Sequence, residues 1–336
     1  MSSLPAPLSG LPAGVVTRPS ASTPAWLVHP AYDLLLVANV LWPIWVWLGS
    51  TEGFASRDGL LFWQLYFVTT PHRWITLLLV FGDRPRFNTS PTLFVTLAFV
   101  ALGVTLGTRL VTGGLTCLLA IDYLWNAWHF ASQHHGVSRI YSRIETGDSN
   151  EPKWEKWAFR FFLLYVIFRV AGTTWQIGDV DSALLQFDFL AATVPVVLLF
   201  RAGRASCRGI GGAVVYRLSV CALFLGMLGA VHFHRPDLVL GFATASALFH
   251  ATEYLAVIGW TMINQRGTDL ASRGFIGWLI PRWGLMMAIF LLVFGVGGFW
   301  LDRHWLEPWL ALNVTVAFLH YAYDGLIWRR PPRRTS

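Results

Sequence analysis

Apolar runs of about twenty residues recur along this chain from Ala31 to Trp328, separated by short polar or basic connections. In a bilayer the backbone must satisfy its own hydrogen bonds, and a helix about 20 residues long crosses a hydrocarbon core of about 30 Å. Hydrophobic residues make up 55% of the chain and charged ones only 13%. A soluble domain carries about twice that charged fraction. The chain is therefore read as an all-α, polytopic transmembrane helix bundle of about ten spans. They fall at 31–49, 59–81, 91–111, 114–138, 157–175, 183–200, 213–232, 237–263, 281–301 and 306–328. Gly113-Gly114 joins the third and fourth tightly, and Pro71 interrupts the second beside His72.

The basic residues order these spans. With both termini cytoplasmic, the outer loops carry Arg57, Arg109, Arg235 and Arg303, and most other Lys and Arg fall in inner segments. That bias accounts for the net charge of +7 and argues against a nucleic-acid partner. Eighteen Trp fit interfacial belts, although Trp125, Trp128 and Trp175 lie near polar positions inside spans. Residues 1–25 are rich in Pro, Ser and Ala, lack the basic and apolar regions of a signal peptide, and read as a disordered tail. Residues 26–330 form the membrane domain and 331–336 a basic C-terminal tail. Cys117, Cys207 and Cys221 form no CxxC pair, so neither a disulfide framework nor a thiolate metal site is expected.

The stretch from Ile121 to Ser138, IDYLWNAWHFASQHHGVS, is the polar centre of the sequence. At 100° per residue Asp122, Asn126, His129 and Gln133 share one helical face, which cannot be turned to lipid cheaply. His134 and His135 follow. Other spans carry matching groups: His29 and Asp33; Pro71-His72-Arg73 with Thr76; His250 and Glu253 with Tyr254; and His320 and Asp324, with Asn313 on the same face. Pairs spaced i,i+3 or i,i+4 point two side chains the same way off one helix. Imidazole with carboxylate suits iron, manganese or zinc. In the ten-span order His72, His129, His250 and His320 all lie roughly 12–20 Å from the cytoplasmic end, one layer in the inner half of the membrane. His232, His234 and His304 fall at outer ends.

Plainer readings stand beside these. A lone intramembrane His often serves as a helix–helix hydrogen-bonding group. His134 and His135 can be interfacial, Asp33 a helix N-terminal charge, and Asp324 a partner of Arg329 or Arg330. Arg73 can pair with Asp122. Glu253 has nothing basic within a turn and needs a partner from another helix, a proton or a metal.

The run His129-Phe-Ala-Ser-Gln-His134-His135, with His72, His250 and His320 as distant single ligands, resembles the histidine-box membrane di-iron enzymes, the desaturases and hydroxylases. Their boxes read HxxxH and HxxHH, whereas His129 and His134 are five apart, and ten spans exceed those enzymes' usual number. The HPAYD, PHRWIT, WHFASQHHG, HATEY and HYAYDGLIW segments together also resemble a bacterial multi-pass membrane family, which implies an inner-membrane location and no particular activity. The di-iron resemblance implies oxidation of a lipid or other hydrophobic molecule by O₂, with an electron donor reaching a site on the cytoplasmic side. In it His72, His129, His134, His135, His250, Glu253, His320 and Asp324 hold the metal. Asp122, Asn126, Gln133, Arg73, Tyr254 and Asn313 orient them. Iron is the first expectation, then manganese or zinc; haem b needs only two facing histidines. The open alternatives are a transporter or proton-coupled channel using the buried Asp, Glu and His groups, and a membrane transferase with a His/Asp base.

Overall fold

A computed structural model describes residues 26–51, 59–146, 152–174, 178–205, 211–265 and 269–328. Its regular structure there is helical. The tails expected at 1–25 and 331–336 lie outside the described residues, as does Trp175. The main helices are α1 (Trp42–Ser50), α2 (Thr70–Phe81), α3 (Pro91–Thr112), α4 (Thr116–Thr146) and α5 (Lys153–Thr174). They continue with α6 (Gly178–Ala205), α7 (Gly212–His232), α8 (Pro236–Asn264), α9 (Trp283–His304) and α10 (Leu306–Ile327).

Among the described residues, seven helical stretches are long and apolar enough to cross a membrane: Pro30–Ser50, Pro91–Thr112, Leu184–Arg204, Gly212–His232, Pro236–Asn264, Phe275–His304 and Leu306–Ile327. The sequence reading had ten. The other three expected spans are also helical, but they carry the polar groups: Gln64, His72 and Arg73 before and in α2, the 122–135 stretch in α4, and Arg160 and Arg169 in α5. These polar groups lower their apolar content.

Prolines shape the first two expected spans. Pro43 has no N–H to give, and its ring would strike the carbonyl of Asn39 in a continuous helix. The chain accordingly leaves the helix at Asn39, which has a φ of 43°. Before that break a short turn, Pro30–Tyr32, runs into a π-helical segment, Asp33–Val37. Pro71 has a milder effect. The chain widens into a π-helix over Trp63–Thr69 just ahead of it and then continues as α2. At the other expected punctuation, Gly113 caps α3 in the left-handed region (φ 72°), its N–H bonding Arg109's carbonyl.

The described chain divides into two compact units. The first contains 70–125 and 258–328, hence α2, α3, α9, α10 and the first turns of α4. Here α10 packs on α2, α3 and α9. Val80, Phe94, Leu319 and Tyr323 form one apolar cluster, and Leu118, Val314, Ala317, Phe318 and Tyr321 another. The Tyr323 hydroxyl donates to Phe94's carbonyl at 2.7 Å. A buried ion pair of Arg273 with Asp83 fixes the chain ahead of α9. Little of α3 is covered: 11% of its apolar window is buried, against 56% for α10, so α10 is the inner helix and α3 an outer one.

The second unit contains 26–69 and 126–257: the broken first helix, the π-helix, most of α4, α5 to α7 and most of α8. In it α7 packs on α5, α6 and the segment Asp33–Val37. Helices α1 and α8 meet backbone to backbone at Gly49 and Gly241, the small-residue contact by which membrane helices approach closely. A Cβ on Gly241 would lie 2.7 Å from Val46's carbonyl oxygen. We expect Gly241→Leu to lower stability by about 1–3 kcal/mol through overpacking, measured by denaturant titration in detergent.

Candidate metal centre

The site is in the second unit, on α4, α7 and α8. His250 and Glu253 are one helical turn apart on α8 and point the same way, the i,i+3 arrangement read from HATEY. On α4, Phe130 stacks flat on the His250 ring, with centroids 3.7 Å apart and planes at 12°. This contact sets His250 between two α4 histidines. The His129 ring centroid is 5.1 Å from that of His250, and the His134 centroid 5.9 Å. One ligand atom each from His134, His250 and Glu253 falls within 4.8 Å of the others, and all three residues are buried. Two ligands on opposite sides of one ion are about 4.2 Å apart, given bonds near 2.1 Å, so the group is the right size to hold a metal.

Glu253 is held on every side. Gln133 Nε2 donates at 2.8 Å to its Oε1 and, also at 2.8 Å, to the His250 carbonyl. Tyr216 on α7 donates its hydroxyl to Oε2 at 2.7 Å. His134 Nδ1 is 3.1 Å from each carboxylate oxygen and 2.9 Å from the Tyr216 hydroxyl. His134 Nε2 is buried with no hydrogen-bond partner among the described residues, and an unmet buried group of this kind marks a place for an ion or a water. Phe224 and Phe249 flank the His134 ring. The arrangement joins two imidazoles and a carboxylate in apolar walls, with an amide and a phenol fixing the carboxylate. We expect Gln133→Ala to weaken metal binding about 10–100-fold without unfolding the protein, as isothermal metal titration would measure.

The other expected residues have varied placements. His135 faces elsewhere on α4, against Phe159, beside a small cavity lined by Ser138, Glu155, Arg217 and Cys221. Asn126 is half-buried and Tyr254 buried. In the first unit His72 and His320 form their own pair, with ring centroids 4.8 Å apart and Thr76 Oγ1 2.7 Å from His320 Nδ1. Asp122 accepts Tyr321's hydroxyl at 2.9 Å, in place of the partnership with Arg73 weighed above. Arg73 is half-buried on α2. Asp324 takes the Trp328 indole at 3.3 Å, and Asn313 donates to Trp309's carbonyl at 3.1 Å.

Asp33 has a structural place. Its carboxylate accepts the Leu27 and Val28 N–H groups at 2.6 and 3.1 Å and the Tyr141 hydroxyl at 2.9 Å, tying the incoming chain to α4. Sequence reasoning missed Tyr216. Its only signal was a lone tyrosine beside Arg217 in an otherwise apolar run. It also missed Asp188 as the partner of Arg169. No protein-family model, curated protein or solved structure matches the chain, so the reading of this centre rests on its geometry.

Proposed function

We propose that the protein is an integral membrane, metal-dependent oxidoreductase acting on a lipid or another hydrophobic molecule, with iron held by His134, His250 and Glu253. The observation that carries this reading is the approach of those three buried ligand groups to within 4.8 Å of one another. Bound iron would supply O₂ activation, and an external electron donor would restore it. Gln133 holds the carboxylate in place, and the Phe130 stack holds His250. The phenylalanine walls keep water away and suit an apolar substrate. The reading keeps His129 beside His250, and it keeps His72 and His320 with Thr76 as a second ligand pair in the first unit. Ten spans with both termini cytoplasmic, in a bacterial inner membrane, remain part of the proposal. Its test is O₂ consumption by iron-loaded protein in nanodiscs made from bacterial lipid extract, with reductant, followed by mass spectrometry of the lipids. The expected result is oxidised or desaturated lipid from wild type and none from Glu253→Gln. Unchanged lipid and no O₂ uptake by fully iron-loaded protein would count against an oxidoreductase.

A second reading, an ion-coupled transporter, is favoured by one observation. Two helices of the second unit are irregular, the first broken at Asn39 and the next widened over Trp63–Thr69. Interrupted helices supply ion sites in many transporters. Metal or proton flux into proteoliposomes would favour it.

A further inference from the structure

We infer that the face shared by α4 and α5 in the second unit holds an anionic phospholipid of the surrounding bilayer, with its headgroup phosphate at Lys156 and Arg160. This inference rests on the membrane placement proposed above and is independent of the metal. Two cations and two indoles form a row here. The Arg160 guanidinium lies over the Trp128 ring, 5.4 Å from its centroid, and the Lys156 ammonium lies over the Trp157 ring at 5.3 Å. The two indoles meet with centroids 6.2 Å apart. Both indoles are exposed and both cations half-buried. A ring face positions a cation without cancelling its charge, so each stays available to an anion. Lys156 and Arg160 are spaced i,i+4 on α5 and so lie side by side. Together they offer a phosphate one compact charge and one planar fork of N–H donors.

Charge and shape choose the occupant. The described residues of 128–160 carry five basic side chains, Arg139, Arg143, Lys153, Lys156 and Arg160, against two acidic ones, Glu145 and Glu155. Glu155 is buried and accepts Arg201 Nε at 2.6 Å, so its charge is met inside the unit. Glu145 lies about 25 Å along α4 from Trp128. Basic clusters at a membrane surface select anionic headgroups, and a zwitterionic headgroup would bring a cation of its own to the row. The same face continues as an apolar track. Trp157, Phe161 and Phe168 (offsets 0, 4 and 11 at 100° per residue) share one side of α5, and all three are exposed. The first two rings stack, with centroids 5.4 Å apart and planes at 22°. From Trp157 to Phe168 is about 16 Å of helix, and half of a hydrocarbon core is about 15 Å. The row thus sits where a headgroup meets its chains in one leaflet, the level at which Trp is enriched, and the track takes one acyl chain.

The test is native mass spectrometry of the full-length, metal-free protein in neutral detergent. The protein is titrated with phosphatidylglycerol or with phosphatidylcholine of the same chains. Wild type is expected to retain phosphatidylglycerol in preference to phosphatidylcholine. The double variant Lys156→Gln, Arg160→Gln should weaken phosphatidylglycerol binding about thirtyfold, the effect of two basic contacts to an anionic headgroup. A control double, Arg204→Gln, Arg303→Gln, also removes two cations that lie over rings, those of Phe200 and Phe299, and should change the affinity less than about twofold. Excess inorganic phosphate should not displace the lipid. Equal retention of the two lipids by wild type overturns the site, and this arm needs no variant to fold. Unchanged binding by the first double, or an equal loss in the control, also overturns it, because the preference would then be a general effect of charge. Displacement by phosphate would reduce the site to an anion site without a lipid. A dimer lost in the first double would put a second copy of the chain on this face instead. Protein that stays in solution without detergent overturns the membrane placement, and the lipid site with it. With no metal present, none of these results bears on the metal centre.

Discussion

Glu253→Gln protein is expected to fold normally and to lose its metal. The substitution keeps the shape of the side chain and removes the charge. An amide oxygen is a poor metal ligand beside a carboxylate, and two imidazoles alone leave the ion's charge uncompensated in a buried site. Replacing a group that merely orients a ligand costs 10–100-fold in affinity, so removing a ligand should cost on the order of a hundredfold or more. Glu253→Ala has a different outcome. It removes the charged acceptor to which the Gln133 amide and the Tyr216 hydroxyl donate at 2.8 and 2.7 Å, leaving them the His250 and His134 carbonyls. Each lost hydrogen bond to a charged acceptor costs about 1.5–3 kcal/mol, so the Ala protein loses stability as well as metal. Metal titration and denaturant unfolding of both variants separate the two effects. If Glu253→Gln bound metal as tightly as wild type, Glu253 would be a structural acceptor and nothing more.

Asp188→Ala should give the largest loss of stability away from the centre, about 3–5 kcal/mol. Asp188 Oδ1 accepts Arg169 Nε at 2.9 Å and the Tyr165 hydroxyl at 2.7 Å. Its Oδ2 accepts Arg169 Nη2 at 3.0 Å and is 3.0 Å from His232 Nδ1. One carboxylate thus joins α5, α6 and α7. Removing it leaves the Arg169 guanidinium, 2% exposed, as a buried charge without its counter-ion. The double variant Arg169→Met, Asp188→Leu removes both charges and should recover most of the loss, since apolar residues often replace a buried pair at little cost. Denaturant titration of the two singles and the double closes the cycle. Additive losses would mean the pair contributes no coupling.

The helical character of the chain, with several helices long and apolar enough to cross a membrane, was legible because long apolar runs leave few other backbone solutions in a bilayer. Gly113 marked its turn for an equally local reason, and Pro71 marked its irregularity. Pro43 carried the same kind of signal, yet span 31–49 read as continuous, because its apolar content hid a break that lay four residues upstream at Asn39. The His250–Glu253 pair was legible from spacing on its own helix. What spacing could not give was the partner helix. The stripe Asp122, Asn126, His129 and Gln133 looked like one face with one purpose, but Asp122 bonds Tyr321 and Gln133 bonds Glu253. Tyr216 and Asp188 are single polar residues in apolar helices, and their meaning comes from groups on other helices. Periodicity within one segment carries no information about such contacts.

The most direct test of the central claim is the metal content of the detergent-purified protein, measured by elemental mass spectrometry beside a His134→Ala, His250→Ala double variant. The account predicts iron, or failing that manganese or zinc, at whole-number occupancy in wild type, and its loss from a double variant that still folds. Wild type free of metal even after anaerobic loading, or a double variant that keeps the same metal content, would contradict it.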